Sequence, residues 1–458
     1  MLLVRMSLAL AAPDEKELRR RITALREKFG QVSIYQPAGL QMRLWELHVP
    51  QPPRAEKTDY VEPMTIERFG ALMPLGGHGA GSVSGPYIGY TTGGGRRPVR
   101  WNPLEASREL HASPAILLAG RPGSGKTVAA QLLGLTAAMR GSLVVDIDPK
   151  PDHNLHEIPE LRDRSRLLEL TADERYAGVL DPMRIVAPDW RIDTATSYYL
   201  EMLREKQPGW ESAIEAAVHS VNDGPDPSSA KVIDALRAGG HDECAESLER
   251  VSRSGLGRLG FGDGEFARTV SQVTSIRIPG LVLPAEGQAM DTYSYAQRRS
   301  VATIGLLADF ALYLISRDPS RHKVVLFDEA WFLLASGQGR NLLNRLMRLG
   351  RAQNATVIVA TQRLGDLGEL TDLIGTYFIF GQHSDEEARR GLTLLGLDAT
   401  NESDVAKVRQ YERGLGLMKD LRGRVAEIQI DVAFPEVMET LDTSTAAAER
   451  RRIAGEEA

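Results

Sequence analysis

Short apolar runs alternate with helical patterns from residue 115 onward. Turn or polar residues bound each run, and the runs are Ala115–Ala119, Leu143–Ile147, Val324–Phe327, Thr356–Ala360 and Tyr377–Phe380. Apolar strands of this length are typical of a parallel sheet that helices cover on both faces, because side chains on neither face meet water. The pattern therefore predicts an α/β fold with a mainly parallel central sheet.

A block with a helical pattern of apolar residues separates the second run from the third. From about residue 193 to residue 264 the apolar residues follow helical spacing, as in Tyr198–Leu200 and Ala213–Val221. Loop signals interrupt the block at Asp223–Ser229 and at Gly239-Gly240. We predict a mostly helical insertion within the α/β domain.

The first 100 residues carry weaker patterns. Residues 1–12 are expected to form a strand, because Arg5 interrupts the apolar run that a signal peptide would need. Asp14–Phe29 has acidic residues first and basic residues later, as a helix favours. Gln51–Pro63 has the composition of a linker, and Gly76–Gly95 that of hairpin turns. The predicted segments are a strand, helix and linker over 1–60, the first part of the α/β domain over 61–190, the helical insertion over 191–265, the second part of the domain over 266–440 and a flexible tail over 441–458.

Composition excludes several classes of protein. The chain of 458 residues is 42% hydrophobic and 25% charged, as expected of a soluble globular protein of about three structural units. Its net charge of −6 excludes a generic polycation that coats nucleic acid. The single cysteine, Cys244, excludes an intramolecular disulfide and predicts a buried thiol. Val301–Ser316 carries Asp309 in its middle and is interpreted as a core helix.

The strongest chemical signal follows the first apolar run. Residues 120–127 match G-x-x-x-x-G-K-[ST], between a predicted strand and a predicted helix. The glycines let backbone N–H groups surround phosphates, and the helix N-terminus favours their charge. Lys126 is expected to bridge the β and γ phosphates of ATP, and the Thr127 hydroxyl to ligate Mg²⁺. The predicted nucleotide contacts are Gly120, Arg121, Pro122, Gly123, Ser124, Gly125, Lys126, Thr127 and Val128.

A second motif is an apolar strand that ends in two carboxylates, Asp328 and Glu329. A P-loop enzyme needs an acid at such a strand end to hold Mg²⁺ and a second acid to polarise the attacking water. Asp328 is predicted to serve the metal and Glu329 the water. An acidic N-cap pair that opens the next helix is the alternative.

A third strand, over residues 356–360, is followed by Thr361 and Gln362. Since ligands sit at the carboxyl ends of parallel strands, Gln362 is predicted to contact the γ-phosphate or to orient the water. An ordinary polar turn residue is the alternative.

Arg351 precedes that same strand. Because a strand rises about 3.3 Å per residue, Arg351 is expected at the opposite edge of the sheet, on the order of 20 Å from its own nucleotide. Two interpretations remain open. Arg351 is either an arginine finger for the nucleotide of a neighbouring subunit in a ring, or a surface arginine in a stripe with Arg345 and Arg348.

Three groups give weaker signals. Asp146 and Asp148 end the second apolar run, where a solvated turn is favoured over contact with the metal's water shell. Arg96, Arg97 and Arg100 fit phosphate contacts and a solvated hairpin equally well. His153 and His156 are three residues apart, and the sequence offers no further ligand for a metal site.

Together these motifs resemble the HerA/FtsK superfamily of P-loop ATPases. The resemblance rests on the P-loop, the long gap before Leu326–Trp331, and the segments Gly350–Asn354 and Ala360–Arg363. Within the superfamily the chain is most similar to the VirB-four/TraC-like ATPases of conjugative type IV secretion systems, on the evidence of Val145–Lys150 and Leu180–Met183. The similarity covers roughly residues 60 to 440.

The resemblance implies a RecA-like fold with an inserted all-α subdomain, ATP and Mg²⁺ as cofactors, and a homo-hexameric ring. In the family, the residues that match Lys126, Thr127, Asp328, Glu329 and Gln362 bind or hydrolyse ATP, and an arginine placed like Arg351 reaches into the adjacent subunit. Expected partners are secretion-channel or coupling proteins at the inner face of the membrane, with DNA as a further candidate. The expected location is cytoplasmic, either free or peripheral at the inner membrane. Family members carry a large N-terminal domain, of which the first 60 residues here resemble the last strand and helix.

Three functions from different classes follow. The first is a hexameric ATPase that energises conjugative DNA transfer or protein secretion, which the four motifs together favour. The second is a HerA-like DNA translocase, for which a net charge of −6 is mildly unfavourable. The third is a nucleotide-dependent assembly scaffold, against which Glu329 and Gln362 argue.

Overall fold

The structure is a computed structural model. It describes residues 2–29, 33–46, 61–71, 79–93, 96–150, 152–171, 173–253, 255–262, 271–285, 288–316, 318–328, 337–444 and 447. The chain divides into two compact units, Met1–Gly76 and Gly77–Ala458.

The first unit contains a small sheet and three helices among its described residues. Strand β1 (Leu2–Val4) pairs antiparallel with β2 (Glu62–Met64). The helices are α1 (Glu15–Phe29), α2 (Gln41–Glu46) and α3 (Ile66–Ala71). Helix α1 begins one residue later than predicted, because the Asp14 carboxylate accepts a hydrogen bond from the backbone N–H of Glu17 at 2.8 Å and so precedes the helix as its cap. This unit extends past residue 60, where the sequence pattern places its boundary.

The second unit is built on an 11-stranded sheet in its described part. The spatial order is β4-β3-β13-β12-β11-β5-β10-β9-β6-β8-β7. The strands are β3 (Tyr87–Thr91), β4 (Pro98–Arg100), β5 (Ala115–Ala119), β6 (Leu143–Asp148), β7 (Ser165–Glu169), β8 (Val273–Arg277), β9 (Lys323–Phe327), β10 (Ala355–Thr361), β11 (Ile374–Phe380), β12 (Leu415–Lys419) and β13 (Val425–Ile430).

The sheet is parallel from β11 to β7 and antiparallel beyond β11. All five apolar runs form strands of the parallel part, which confirms the predicted mainly parallel α/β fold. Two further parallel strands, β7 and β8, escape the pattern because they contain polar residues. In β8 the buried Ser275 is accommodated by a 3.1 Å hydrogen bond to the Asp146 carboxylate on β6.

Each central strand is buried on both faces. In β5, Leu117 belongs to one hydrophobic cluster and Leu118 to the other, and both have 0% exposure. Burial of a leucine side chain contributes roughly 1.5–3 kcal/mol, so covering both faces supplies much of the stabilisation of the sheet. Helix α4 (Lys126–Met139) covers one face, and α10 (Tyr295–Ser316) and α11 (Gly337–Ala352) belong to the cluster on the other.

A helical subdomain lies between β7 and β8 in the chain. Its helices are α5 (Pro182–Ile185), α6 (Pro188–Met202), α7 (Trp210–Asn222), α8 (Ser229–Ala238) and α9 (Asp242–Ser252). The turns fall at the loop signals of the sequence, between α7 and α8 and between α8 and α9. Cys244 is buried in α9, where burial raises the pKa of its thiol to about 11.

Three further short α-helices lie in the described part: α12 (Asp385–Leu395), α13 (Glu402–Arg409) and α14 (Pro435–Leu441).

Helix α10 is long and apolar enough to cross a membrane by length and composition, and most of its apolar window is buried inside the protein. Asp309 in this helix accepts a hydrogen bond from Thr194, and burial raises the pKa of its carboxyl to about 7. The expected core helix is thus found, with a polar neighbour for its acid.

We expect Asp181→Ala to lower the free energy of unfolding by roughly 2–4 kcal/mol. The fully buried Asp181 carboxylate accepts hydrogen bonds from Met183 N at 2.9 Å, Ser229 N at 2.9 Å and Ser229 Oγ at 2.7 Å, so its removal leaves buried donors unpaired. Urea titration followed by circular dichroism measures the loss. Asp234→Ala, an exposed acid on α8, is the control, and equal stability of the two variants would contradict the role of Asp181.

Candidate functional site

The carboxyl ends of the parallel strands meet at one edge of the sheet, and the loop between β5 and α4 lies there. Gly123 and Gly125 of this loop have φ angles of +73° and +99°, which side-chain-bearing residues rarely adopt. A Cβ on Gly120 would lie 2.7 Å from Ser124 Oγ and 2.8 Å from Phe380 Cβ. The tight turn of the loop therefore requires glycine at these positions.

Lys126 begins α4 and folds back across the loop. Its Nζ donates hydrogen bonds to Gly120 O at 2.7 Å and Arg121 O at 3.1 Å, and the side chain is only 7% exposed. Ser124 Oγ is buried with no hydrogen-bond partner among the described residues. A buried cation, an unused hydroxyl donor and the first amides of a helix thus converge on one small space. This donor set fits the phosphate chain of a nucleotide.

The loop is held on its other side by the antiparallel part of the sheet. Arg121 N donates to Gly381 O at 2.8 Å, and Gly414 N donates to Ser124 O at 2.9 Å. A Cβ on Gly125 would lie 2.9 Å from Gly414 N. Residues far apart in sequence therefore fix the shape of the P-loop, which the motif alone does not indicate.

The predicted metal ligands lie next to each other. Asp328 follows β9, and Thr127 Oγ1 donates a 2.8 Å hydrogen bond to its Oδ2. Burial opposes ionisation of Asp328, but hydrogen bonds from His153 and Thr127 outweigh it and lower its pKa to about 2. An ionised carboxylate beside a hydroxyl is the hard-oxygen set that Mg²⁺ favours.

His153 was considered in the sequence only as a metal ligand, and its place beside Asp328 was missed. It is fully buried, with Nδ1 2.6 Å from Asp146 Oδ1 and Nε2 3.1 Å from Asp328 Oδ2. Burial would lower the pKa of its imidazole, but Asp146 and Asp148 raise it well above the usual value. The raised pKa favours the imidazolium, whose two ring nitrogens face the carboxylates of Asp146 on β6 and Asp328 just after β9.

The favoured interpretation of Asp146 and Asp148 as a solvated turn is wrong. Both are buried within β6, at 0% and 2% exposure. Asp148 Oδ2 accepts from His153 N at 2.8 Å and lies 3.4 Å from Arg277 Nε. Burial raises the pKa of Asp148 to about 6, although the His153 and Arg277 charges oppose the rise. The sequence did carry a signal for this pairing. Two acids occur in and directly after an apolar run, and a histidine follows them. Buried acids need cationic partners, so this order of residues indicates a buried charge cluster.

Gln362 directly follows β10, so its backbone lies at the same edge as the P-loop. Gly120 N donates to Thr361 O at 3.3 Å, which joins the start of the P-loop to the end of that strand. The side chain of Gln362 is half-buried. The predicted strand-end position is found, while its role toward a phosphate stays a prediction.

Two predicted catalytic residues are described in part or not at all. Glu329 lies outside the described residues. Arg351 lies in the last turn of α11, just before β10 begins, and its side chain lies outside the described part. Its backbone is therefore at the opposite edge of the sheet from Gln362, as the strand length predicts.

The basic residues Arg96, Arg97 and Arg100 are exposed around the β3–β4 hairpin, where Arg96 stacks on the ring of Tyr90 at 4.9 Å.

The chain is similar in sequence and in fold to known proteins. Residues 104–441 match the family described as AAA-like domain. The uncharacterized protein YddE of Bacillus subtilis (strain 168) is 22% identical over 379 residues, which cover 75% of this chain and 45% of YddE. The chain therefore spans less than half the length of this curated relative. The structure of VirB4 of Thermoanaerobacter pseudethanolicus superposes with a TM-score of 0.62 at 20% identity, covering 79% of this chain and 99% of that chain.

The likeness to VirB4 shows a RecA-like P-loop fold and confirms, at the level of the fold, the resemblance predicted from the motifs. The family match runs from the loop before β5 to the end of α14 and so includes the P-loop, Asp328 and Gln362. On this evidence, the chain belongs to the AAA-like domain family.

Proposed function

We propose that the chain is an ATP-hydrolysing motor of a type IV secretion or conjugative transfer system that works as a homo-hexameric ring. The observation that carries the proposal is the 2.8 Å hydrogen bond between Thr127 and Asp328, directly beside the Lys126 ammonium. The proposed phosphate-binding loop and the proposed metal ligands are thereby adjacent, as nucleoside triphosphate hydrolysis requires. Membership of the AAA-like domain family and the VirB4-like fold support this assignment.

Each residue has a distinct part in the proposed reaction. Lys126 and the P-loop amides hold the phosphates, and Thr127 and Asp328 hold Mg²⁺. When bound, the ion would neutralise charge on the β and γ phosphates. Glu329 orients and deprotonates the attacking water, and Gln362 senses the γ-phosphate from the end of β10.

His153 contacts the proposed metal ligand Asp328 and is expected to hold it in place. A carboxylate can ligate Mg²⁺ only when ionised, and the imidazolium beside Asp328 keeps its pKa near 2. Because His153 also binds Asp146 at 2.6 Å, it fixes the rotamer of Asp328 against the neighbouring strand. Groups behind a metal ligand commonly change metal affinity by about 10–100-fold when removed.

The backbone position of Arg351 supports the proposed ring. An arginine at the amino edge of the sheet cannot reach a phosphate at the carboxyl edge of its own sheet, since the strands between are about 15–23 Å long. We therefore assign it to the nucleotide of an adjacent subunit. The proposed partners are copies of this chain and channel or coupling proteins at the inner face of the membrane, with DNA as a candidate cargo.

Steady-state ATP hydrolysis tests the proposal. Turnover per subunit is expected to rise with protein concentration, because the site is completed by a neighbour, and to vanish in Glu329→Gln. Stimulation by duplex DNA would instead indicate a HerA/FtsK-like translocase. Hydrolysis no greater than that of Glu329→Gln at any concentration would contradict the motor and indicate an assembly scaffold.

The Arg351→Ala variant is expected to lose turnover by a factor of about 10³ or more, while its affinity for nucleotide stays nearly unchanged. The guanidinium stabilises charge that develops only in the transition state. Its removal therefore slows hydrolysis but leaves the binding of ATP in the ground state unchanged. Hydrolysis and binding of fluorescent ATP are measured on the same preparation. Arg348→Ala, one turn earlier on α11, is the matched control; normal turnover in Arg351→Ala would overturn the assignment in trans.

His153→Ala is expected to raise the Mg²⁺ concentration needed for half-maximal nucleotide binding by about 10-fold or more. Its removal leaves the buried Asp146 and Asp328 facing each other without a shared donor. A Mg²⁺ titration with fluorescent ATP measures the change. His156→Ala, three residues later and only partly buried, is the control. An unchanged Mg²⁺ requirement would show that Asp328 is positioned without His153.

A further inference from the structure

Arg345, Arg348 and Arg351 of α11 follow helical spacing, and the structure places the first two differently. Arg345 is half-buried, and its Cζ lies 4.3 Å from the ring centroid of Trp190, in the first turn of α6. Arg348 is exposed, and its Nε donates to Asn344 of the same helix. The expected stripe of surface arginines therefore does not include Arg345, which connects α11 to the helical subdomain.

A cavity of about 530 Å³ lies between α6, α10 and α11. Its lining includes Thr194 of α6, Asp309 of α10 and Arg345 of α11. A Cβ on Gly305 of α10 would meet no neighbouring atom within 4 Å, so α10 leaves this space open. Packing among the three helices is therefore incomplete here, and the stack of Arg345 on Trp190 joins α11 to α6 beside the gap.

Two groups on neighbouring helices attract the Arg345 guanidinium. The face of an indole ring is electron-rich and attracts a cation, most strongly where water is excluded. Asp309 on α10 supplies negative charge: burial raises its pKa to about 7, and the Arg345 charge opposes that rise. Since the ring and the carboxyl lie on elements other than α11, they hold Arg345 in one direction and oppose rotation of α11 about its axis.

The far end of α11 is held by a separate contact. Lys323 at the start of β9 is 2% exposed, and its Nζ donates to Ile315 O at 2.6 Å and to Gln353 O at 2.9 Å. Arg351 lies between the two anchors, six residues after Arg345 and two before Gln353. At a rise of about 1.5 Å per residue, Arg345 and Arg351 are about 9 Å apart along the helix. The direction in which the backbone presents Arg351 therefore depends on both anchors.

We propose that Arg345 is a positioning residue for Arg351 and that, through Trp190, the helical subdomain sets how α11 presents Arg351 to the adjacent subunit. The inference rests on the proposed function, since it needs the nucleotide of a neighbour. An arginine that stabilises transition-state charge must be placed accurately, and a misplacement of about 1 Å can cost about 100-fold in rate. A shift of the helical subdomain would therefore change turnover at the neighbour's nucleotide, while the P-loop of its own chain stays intact.

Arg345→Met removes the cation and keeps an unbranched apolar side chain. Its turnover is expected to fall about 10-fold, and its affinity for fluorescent ATP to change by less than about 2-fold, because the P-loop is untouched. Trp190→Leu, which removes the aromatic face, is expected to lose as much turnover as Arg345→Met. Trp190→Phe keeps an aromatic face and is expected to retain most of the turnover. Arg348→Met, one turn later on α11, is the matched control and is expected to keep full turnover.

Mixed rings separate positioning in trans from damage within the subunit. Lys126→Ala has a damaged P-loop but an intact Arg351. When it is mixed in equal amounts with Arg345→Met, some intact P-loops gain a neighbour that presents Arg351 correctly. Turnover of the mixture is expected to exceed the mean of the two variants measured alone at the same total concentration. Arg351→Ala mixed with Lys126→Ala calibrates the size of this gain.

Normal turnover in Arg345→Met would overturn the proposal, and so would an equal fall in turnover and ATP affinity. If the Arg351→Ala mixture gained turnover and the Arg345→Met mixture did not, the defect would lie within the subunit and the positioning role alone would be rejected. Should Arg345→Met fail to fold, Trp190→Leu and Trp190→Phe apply the same tests from α6.

Failure of the proposed function gives a different result. If neither mixture gained turnover, Arg351 would not act in trans, and the proposed ring would fall together with the positioning role. Absence of hydrolysis by the unaltered protein would reject the proposed motor itself.

Discussion

The parallel register of four central strands is the constraint on which the rest of the structure depends. Phe327 of β9 stands opposite both Val359 of β10 and Ile147 of β6, and Thr361 of β10 stands opposite Ala119 of β5. Because the strands run in one direction and end level with each other, the residues that follow them emerge at a single edge. Parallel strands need long crossovers, so helices cover both faces and the interior is apolar. Polar chemistry can then collect only at the strand ends.

The carboxylates buried at that edge are tolerated because cationic side chains pair with them. Asp146, Asp148 and Asp328 lie close together, and three carboxylates in a low-dielectric interior would repel one another strongly. His153 and Arg277 bring two cations into the group, at 2.6 Å from Asp146 and 3.4 Å from Asp148. The same pairing that makes burial tolerable also keeps Asp328 ionised, so one arrangement serves both stability and the proposed metal site.

The antiparallel strands extend the sheet and shape the site from the other side. The backbone at Gly414, just before β12, contacts Ser124 and approaches Gly125 so closely that a side chain there would clash. The P-loop is thus held between the end of β11 and the start of β12. A cavity lined by Arg121, Gln382 and Arg409 lies there too, because α12 and α13 follow β11 and return the chain beside Arg121.

The sequence by itself determined the elements whose physics is local. Five mostly apolar runs predicted five parallel strands, since burial on both faces favours apolar residues at nearly every position. The glycines of residues 120–125 predicted the P-loop, since its backbone angles exclude other residues. It also placed Asp328 and Gln362 at strand ends. The tertiary structure alone decided that β7 and β8 are strands, because their polar residues are satisfied by contacts such as Ser275 with Asp146. It likewise decided the role of His153, whose partners lie 7 and 175 residues away, because a charge is tolerated in the interior only where the fold supplies its counterions.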